Sequence, residues 1–527
     1  MASVRFRLRP AFFCASLCLM PGATSAQAVL ERGNGPEPST LDAHRCQEVS
    51  CANILRDLYE GLVSEDAAGN LIPGLAVRWQ VSEDQREWTF WLRDDARWSD
   101  GSPITTAQLI DSFTRALDPA TLAPLIDVLR PIRRVDSPEP GAIRFHLHRP
   151  VNLLPRLTLP IAFPVRVDLA TRWGAQHTQA AHWVGNGAYV LTEWTPQSSL
   201  RLRRNPHFHS PAAIEHVRYH VTEDAAAEYK RFLANDLHLT ETVPPARLAE
   251  LQDRHGDALR VSPYLGVFFL GINLRQGPLA ESLGLRQALS LAIDRERLVS
   301  TITGMGEHPA ERLLPPALDL PSSITAENMT AAQREARARA LYAEAGFSPE
   351  SPLQLELRFN TSTPHRRMAL AVAAMWREVL GVRTRLRNEE WKVFVQNRRQ
   401  GRVTEVFRGG WIADMADPAS FLDLFRSDSE LNWSGWRDRD YDRLLDAAQA
   451  SSDAAQRADL QGAAERRLLA AQAILPLYFY TSKHLVSPEV EGFEANPLDR
   501  HPSRFLRWRD EWDSAAQSPS TTSPGAP

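Results

Sequence analysis

The stretch LQLELRFNTSTPHRRMALAVAAMWREVLG (353–381) carries the fold class. Its first seven residues alternate apolar with polar or charged side chains, the period-two signature of a β-strand. From His365 the pattern is that of a helix, and it stops at Gly381, a residue that terminates helices well. Working outward, WTFWLR (88–93) reads as another strand. TAAQREARARALYAEAGF (330–347) reads as a helix that opens on Thr330 and Gln333 in capping-box spacing and closes at Gly346. AAQRADLQGAAERRLLAAQAI (454–474) is a third helix, expected to halt before Pro476. Strands and helices alternate over most of the chain, which predicts α/β architecture. There is no internal repeat and no long linker.

A chain of 527 residues is too long for one hydrophobic core, so two to four domains are expected. Hydrophobic residues at 43% and charged residues at 24% are ordinary for a soluble globular protein. A net charge of −4 gives no basic surface for nucleic acid. The first 28 residues place arginines at 5, 7 and 9 before an apolar run and the small-x-small triplet Ala26-Gln27-Ala28. That is a secretory signal peptide, with cleavage expected after Ala28. Loss of its three arginines takes the net charge to −7. Neither Cys14 nor Cys18 follows the small residue a lipoprotein site needs, so no lipid anchor is expected. No later apolar run is long enough to span a membrane. Residues 511–527 end in a Ser/Pro/Thr-rich segment expected to be disordered.

Two cysteines remain after processing, Cys46 and Cys51, and both reach an oxidising compartment. A disulfide, a metal site with His44, and free thiols are all open on spacing alone; the pair lacks the C-x-x-C spacing of structural zinc. Enzyme signatures are missing. There is no G-x-S-x-G elbow, no H-E-x-x-H helix, no phosphate loop and no G-x-G-x-x-G. RGGWIADMADP (408–418) stands out instead, because Asp414 and Asp417 lie beside large apolar groups. An acid in such a setting needs a positive partner.

Six blocks, in order, resemble one family: RGNGPEPSTLDAHR (32–45), NILRDLYEGLV (53–63), WTFWLRDDARWSDGSPITTAQLIDSF (88–113), NGAYVLTEW (186–194), LRQALSLAIDRERLV (285–299) and PLYFY (476–480). They are similar to the extracytoplasmic oligopeptide-binding proteins of bacterial ABC importers, solute-binding family 5, of the oligopeptide-permease and murein-peptide type. The resemblance runs from about residue 31 to 508. It implies an α/β periplasmic binding protein of type II, in the large three-domain form (cluster C), whose two lobes close like a clam. Lobe I is then expected from 29–59, 184–265 and 483–510, an extra domain from 60–183, and lobe II from 266–482. The implied function is capture of oligopeptides, gripped by backbone and termini, for delivery to permease subunits driven by ATPase subunits. A periplasmic monomer without cofactor, metal or catalytic residues is expected. The alternatives are a murein tripeptide or another small solute on the same fold, and an exported hydrolase.

The resemblance also assigns a site. Asp414 matches the acid that meets the peptide ammonium. Gly410, Trp411 and Ile412 match the strand that pairs with the peptide backbone, by strand addition. Gln47 and Val49 match the segment along the guest's other side. Arg408 matches the arginine that meets the carboxylate of a short peptide, which its planar fork suits. His365 matches the histidine reached by a longer one, and Trp391 an aromatic wall of a side-chain pocket. Bland roles stand beside these: Asp414 as a helix cap or a partner of Arg408, Arg408 in a structural ion pair, His365 as a helix start, the tryptophans as packing. Asp417, just before Pro418, is better placed than Asp414 for the cap. The chain departs from the family at Thr303, where a lysine is expected, and at Leu125, where a tyrosine is expected. It departs again at Gly266 and Ile412, where enteric relatives carry a cysteine pair.

Overall fold

The computed structural model describes residues 29–244, 248–318, 329–403 and 405–509. The expected signal peptide, its cleavage point and the expected tail lie outside the described residues. The chain starts with β1 (Val29–Gly33) and α1 (Val49–Leu58). It then builds an antiparallel sheet from β2 (Ala76–Val81), β3 (Glu87–Leu92), β4 (Ile132–Asp136) and β5 (Ala142–Leu147), ordered β2-β3-β5-β4. Phe90, Trp98, Phe113 and Phe145 fill its core. The chain next returns to its beginning. β6 (Tyr189–Thr195), β7 (Ser199–Arg204) and β8 (His216–His220) form a sheet ordered β1-β8-β7-β6, with β1 parallel to β8. The core beneath it draws Leu30, Ile54, Tyr189, Val217, Val486 and Leu506 from distant parts of the sequence.

The largest sheet has six strands: β9 (Leu259–Ile272), β10 (His308–Pro309), β11 (Gln354–Asn360), β12 (Arg383–Glu389), β13 (Val406–Ile412) and β14 (Ile474–Leu485). Their order is β10-β14-β9-β13-β11-β12. The run VFFLGI in β9 is apolar throughout because both sheet faces are covered. Phe268 and Leu270 enter one core with Leu357 and Trp376. Val267 and Phe269 enter the other with Phe407 and Phe421. β9 and β14 are 14 and 12 residues long and overrun this sheet. Their far halves pair with each other, Leu259 opposite Leu485, and Thr240 N–H donates to the Leu485 carbonyl at 3.0 Å. Two continuous strands thus cross between the region of the Leu30 and Val486 core and the large sheet.

Five helices follow the sequence signals to different degrees. α2 (Thr106–Leu117) and α3 (Ala331–Glu344) both open on capping boxes, the second made by Thr330 and Gln333 as the spacing predicts. α4 (Thr363–Leu380) starts two residues before His365 and ends at Gly381, whose φ of 77° is the left-handed value glycine supplies freely. α5 (Trp391–Arg399) and α6 (Ala454–Ala470) complete the set. α6 stops before Pro476 as expected, but already at Ala470 and not at residue 474, and Pro476 lies inside β14 opposite Phe269. The ladder changes register there, between Phe268 and Phe269, which accommodates a residue that cannot donate. Cys46 and Cys51 are joined by a disulfide with Cα atoms 6.0 Å apart. His44 turns elsewhere, bonded to the Phe163 carbonyl at 3.2 Å and Arg115 at 2.8 Å. No described helix is long and apolar enough to cross a membrane.

Candidate functional site

The site is built on one strand. β13 reads VFRGGWI, and its neighbours explain the two glycines. A Cβ on Gly409 would sit 2.2 Å from the Phe269 ring; one on Gly410 would sit 3.1 Å from the Tyr480 hydroxyl. β13 pairs with β9 along its whole length, Gly266 opposite Ile412 and Leu270 opposite Arg408. On its other side β11 pairs only with Val406 and Phe407. Residues 408–412 therefore keep one edge with no strand partner among the described residues. The Ala413 N–H donates to the Leu265 carbonyl at 2.8 Å. In an antiparallel ladder, bonding direction alternates residue by residue. Trp411 and Gly409 thus bond inward to β9, while Gly410 and Ile412 point N–H and C=O at the open edge. Arg408's carbonyl, on that same side, accepts from Arg398 of α5 at 3.4 Å.

Arg408 occupies one end of this edge. Its guanidinium lies 5.2 Å from the Phe268 ring and donates to the Tyr480 hydroxyl at a long 3.4 Å. Its Nε is buried without a hydrogen-bond partner. The ring of His365, on the first turn of α4, lies 5.7 Å from the same Phe268 ring. His365 Nδ1 faces Asn360 Oδ1 at 2.9 Å. Burial, and then the Arg408 charge, push the His365 pKa down to about 4. At neutral pH this histidine is uncharged, so the cation at this end is Arg408.

Asp414 occupies the other end, two residues past the strand. It remains exposed to water but stands in a crowded cleft. Burial raises its pKa above the usual carboxylate value, against the opposing charges of Arg500 and then Arg56. No cation lies within 4 Å of its carboxylate among the described residues. Arg500 instead grips the Asp414 carbonyl oxygen and places Nη1 2.6 Å and 2.7 Å from the two Glu65 oxygens. The expected pairing with Arg408 is not made, and the helix cap belongs to Asp417, which accepts from Ala419 N–H at 2.8 Å.

The remaining predicted residues divide. Trp411 faces the core opposite to Arg408, with Val267 and Phe269, and its indole N–H finds no acceptor. Trp391 is 49% exposed at the start of α5, seven residues or roughly 10 Å along the axis from Arg398. Val49 is 58% exposed on the first turn of α1, and Gln47 is exposed within the disulfide loop. Val49 opens α1 and Gln47 lies just before its N-cap Glu48, and neither is part of a strand. Arg56, Arg500, Phe268 and Tyr480 were not singled out by the sequence. Of these, only Arg56 and Tyr480 fall in a family-like block, and nothing in PLDRHP marks Arg500. A separate cavity of 690 Å³, lined by Phe232, His255 and Ser487, contains none of these residues.

Residues 70–433 match the family described as bacterial extracellular solute-binding proteins, family 5. The periplasmic oligopeptide-binding protein OppA of Salmonella typhimurium is 34% identical over 494 residues, covering 89% of this chain and 90% of that one. The unliganded open form of the murein tripeptide-binding protein MppA superposes with a TM-score of 0.82 at 31% identity, covering 92% and 98%. Another structure of MppA, from Escherichia coli, gives 0.75 at 31% identity, covering 92% and 99%. The chain belongs to solute-binding protein family 5 and has its two-lobe α/β fold.

Proposed function

We propose that this family member is a periplasmic receptor that captures short peptides and delivers them to an ABC permease. The observation that carries the reading is the open edge of β13 with opposite charges at its two ends, Arg408 and Asp414. An extended guest along that edge bonds its backbone to Gly410 and Ile412, as in strand addition. Its ammonium meets Asp414 and its carboxylate meets Arg408, so it runs antiparallel to β13. The two residues are six positions apart, roughly 20 Å of extended chain, which with side-chain reach fits about three to five residues. Closure of the lobes takes both termini out of water, where an unpaired charge costs several kcal/mol. Guest side chains sit against Trp391 and the Gln47–Val49 segment, with water filling what they leave. The protein acts as a monomer without cofactor and changes no bond in its ligand.

Calorimetric titration with free and N-acetylated tri- to pentapeptides tests this. Free peptides bind, and acetylation weakens them at least tenfold. Equal affinity for both forms removes Asp414 from the ammonium role. Ala-Ala-Ala titrated beside a murein tripeptide decides between an α-linked and a γ-linked guest. Peptide recovered intact after incubation separates a receptor from a hydrolase.

A further inference from the structure

A second group of side chains converges far along the sequence from the β13 edge. His484 on β14 points Nε2 at Asp499 Oδ1, 2.7 Å away. His501 points Nε2 at the same oxygen, 3.1 Å away. These donor atoms all lie within 4.8 Å of one another. The other nitrogen of His484 faces the Thr240 carbonyl at 2.9 Å. A carbonyl only accepts, so His484 donates Nδ1–H there, and its Nε2 is the atom turned to Asp499.

We propose that His484, Asp499 and His501 bind a divalent transition metal of the zinc class. Two imidazole nitrogens and one carboxylate oxygen are a donor set for borderline ions, and three protein ligands leave a fourth position for water. Tetrahedral zinc at ~2.0–2.2 Å from each ligand spaces its ligands roughly 3.3–3.5 Å apart, so the 2.7 and 3.1 Å contacts need open by about 0.2–0.8 Å to admit the ion. The ligands are also held. The Thr240 carbonyl orients His484 as an outer partner orients a metal-bound histidine. The His501 ring stacks on Phe493 at 3.8 Å, and its carbonyl accepts from Arg32 at 2.8 Å. Asp499 has a φ of 56° in a turn closed by its N–H on the Asn496 carbonyl, and that turn brings the carboxylate to both rings. The Asp499 side chain is 17% exposed against 6% and 7% for the histidines, which gives the ion its way in.

The placement gives such an ion a role. It ties the crossing strand β14 to the 496–501 turn, and that turn carries Arg500, which holds Glu65 and the Asp414 carbonyl. The proposal stands on these three residues and does not depend on what the cleft binds.

The test is equilibrium dialysis of the untagged mature chain against Zn²⁺, with bound metal measured by mass spectrometry. One equivalent is expected, bound about tenfold or more weakly by His484→Gln and by His501→Gln. Thermal unfolding with and without Zn²⁺ is expected to show stabilisation of the parent chain alone. Should a variant fail to fold, the Co²⁺-loaded parent chain still decides, through the visible absorption of a nitrogen- and oxygen-ligated four-coordinate site. No zinc retained by the parent chain, equal uptake by folded variants, or a Co²⁺ spectrum of the aquo ion overturns the proposal and leaves a histidine–aspartate hydrogen-bonded cluster.

Discussion

The large sheet holds two sets of charge that are finished in different ways. On β11, Arg358 bonds Glu356 at 3.0 and 2.5 Å and reaches Glu389, at the end of β12, at 3.3 Å. Asn397 of α5 adds a bond to Glu389 at 3.0 Å. Glu356, Arg358 and Glu389 are 3, 4 and 8% exposed. One strand over, Arg408 touches aromatic groups and a distant hydroxyl, and no carboxylate lies within 4 Å of it among the described residues. Asp414 feels two arginines without an ion pair to either. Charges closed on one another hold the sheet together. Charges left open, at the two ends of an unpaired strand edge, are what an extended zwitterion would complete.

The comparison breaks or sharpens under substitution. Arg358→Ala leaves two buried carboxylates short of a partner and should cost about 3–5 kcal/mol of stability in urea unfolding. Peptide affinity of the folded variant should stay within a few-fold, and a collapse there would erase the distinction. Asp414→Ala should do the reverse, weakening peptide binding by about 2–5 kcal/mol in calorimetry with the unfolding midpoint unmoved. Cys46→Ser with Cys51→Ser extends the comparison to the facing wall. Loss of so short a loop closure should reduce stability by about 2 kcal/mol, read from denaturant curves. Arg408→Ala should hurt tripeptides more than pentapeptides, whereas an equal loss at every length would move Arg408 into the structural set.

The smallest effect is a slope with pH. Only the ionised acid holds an ammonium, and burial has raised the Asp414 pKa. Peptide affinity should therefore begin to fall, as pH drops, above the ordinary carboxylate range. Stability should respond with the opposite sign. A carboxylate whose folded pKa exceeds its unfolded value binds more protons when folded, so its contribution improves on acidification. Asp414→Asn should flatten both slopes, and unchanged slopes in that variant would assign them to another group.

Local signals were legible because they act over a few residues. The Thr330–Gln333 capping box forms both of its bonds, Gly381 ends α4, and the strand read at 353–359 is displaced by one residue. The same strand shows the limit. Alternation in LQLELRF suggests a wet polar face, yet Glu356 and Arg358 are buried. Their partners Arg385 and Glu389 arrive from about thirty residues away, on a strand laid parallel beside them. Trp411 is adjacent in sequence to Gly410 and Ile412 but faces the other core, because successive residues of a strand point to opposite sides. Arg500 gave no signal, since its meaning lies in contacts to Glu65 and Asp414, 435 and 86 positions away.

By itself the sequence determined the strand and helix that flank His365, the Thr330 cap and the Gly381 stop, the family, and which kinds of charge occupy the candidate edge. Capping, periodicity and motif spacing are written in near neighbours, so a linear reading recovers them. Only the tertiary structure decided which charges are already neutralised and which still face open space. Neutralisation requires groups from distant segments to meet within about 3 Å, and burial, which sets the cost of failing to meet, belongs to the packed chain and to no single stretch of it.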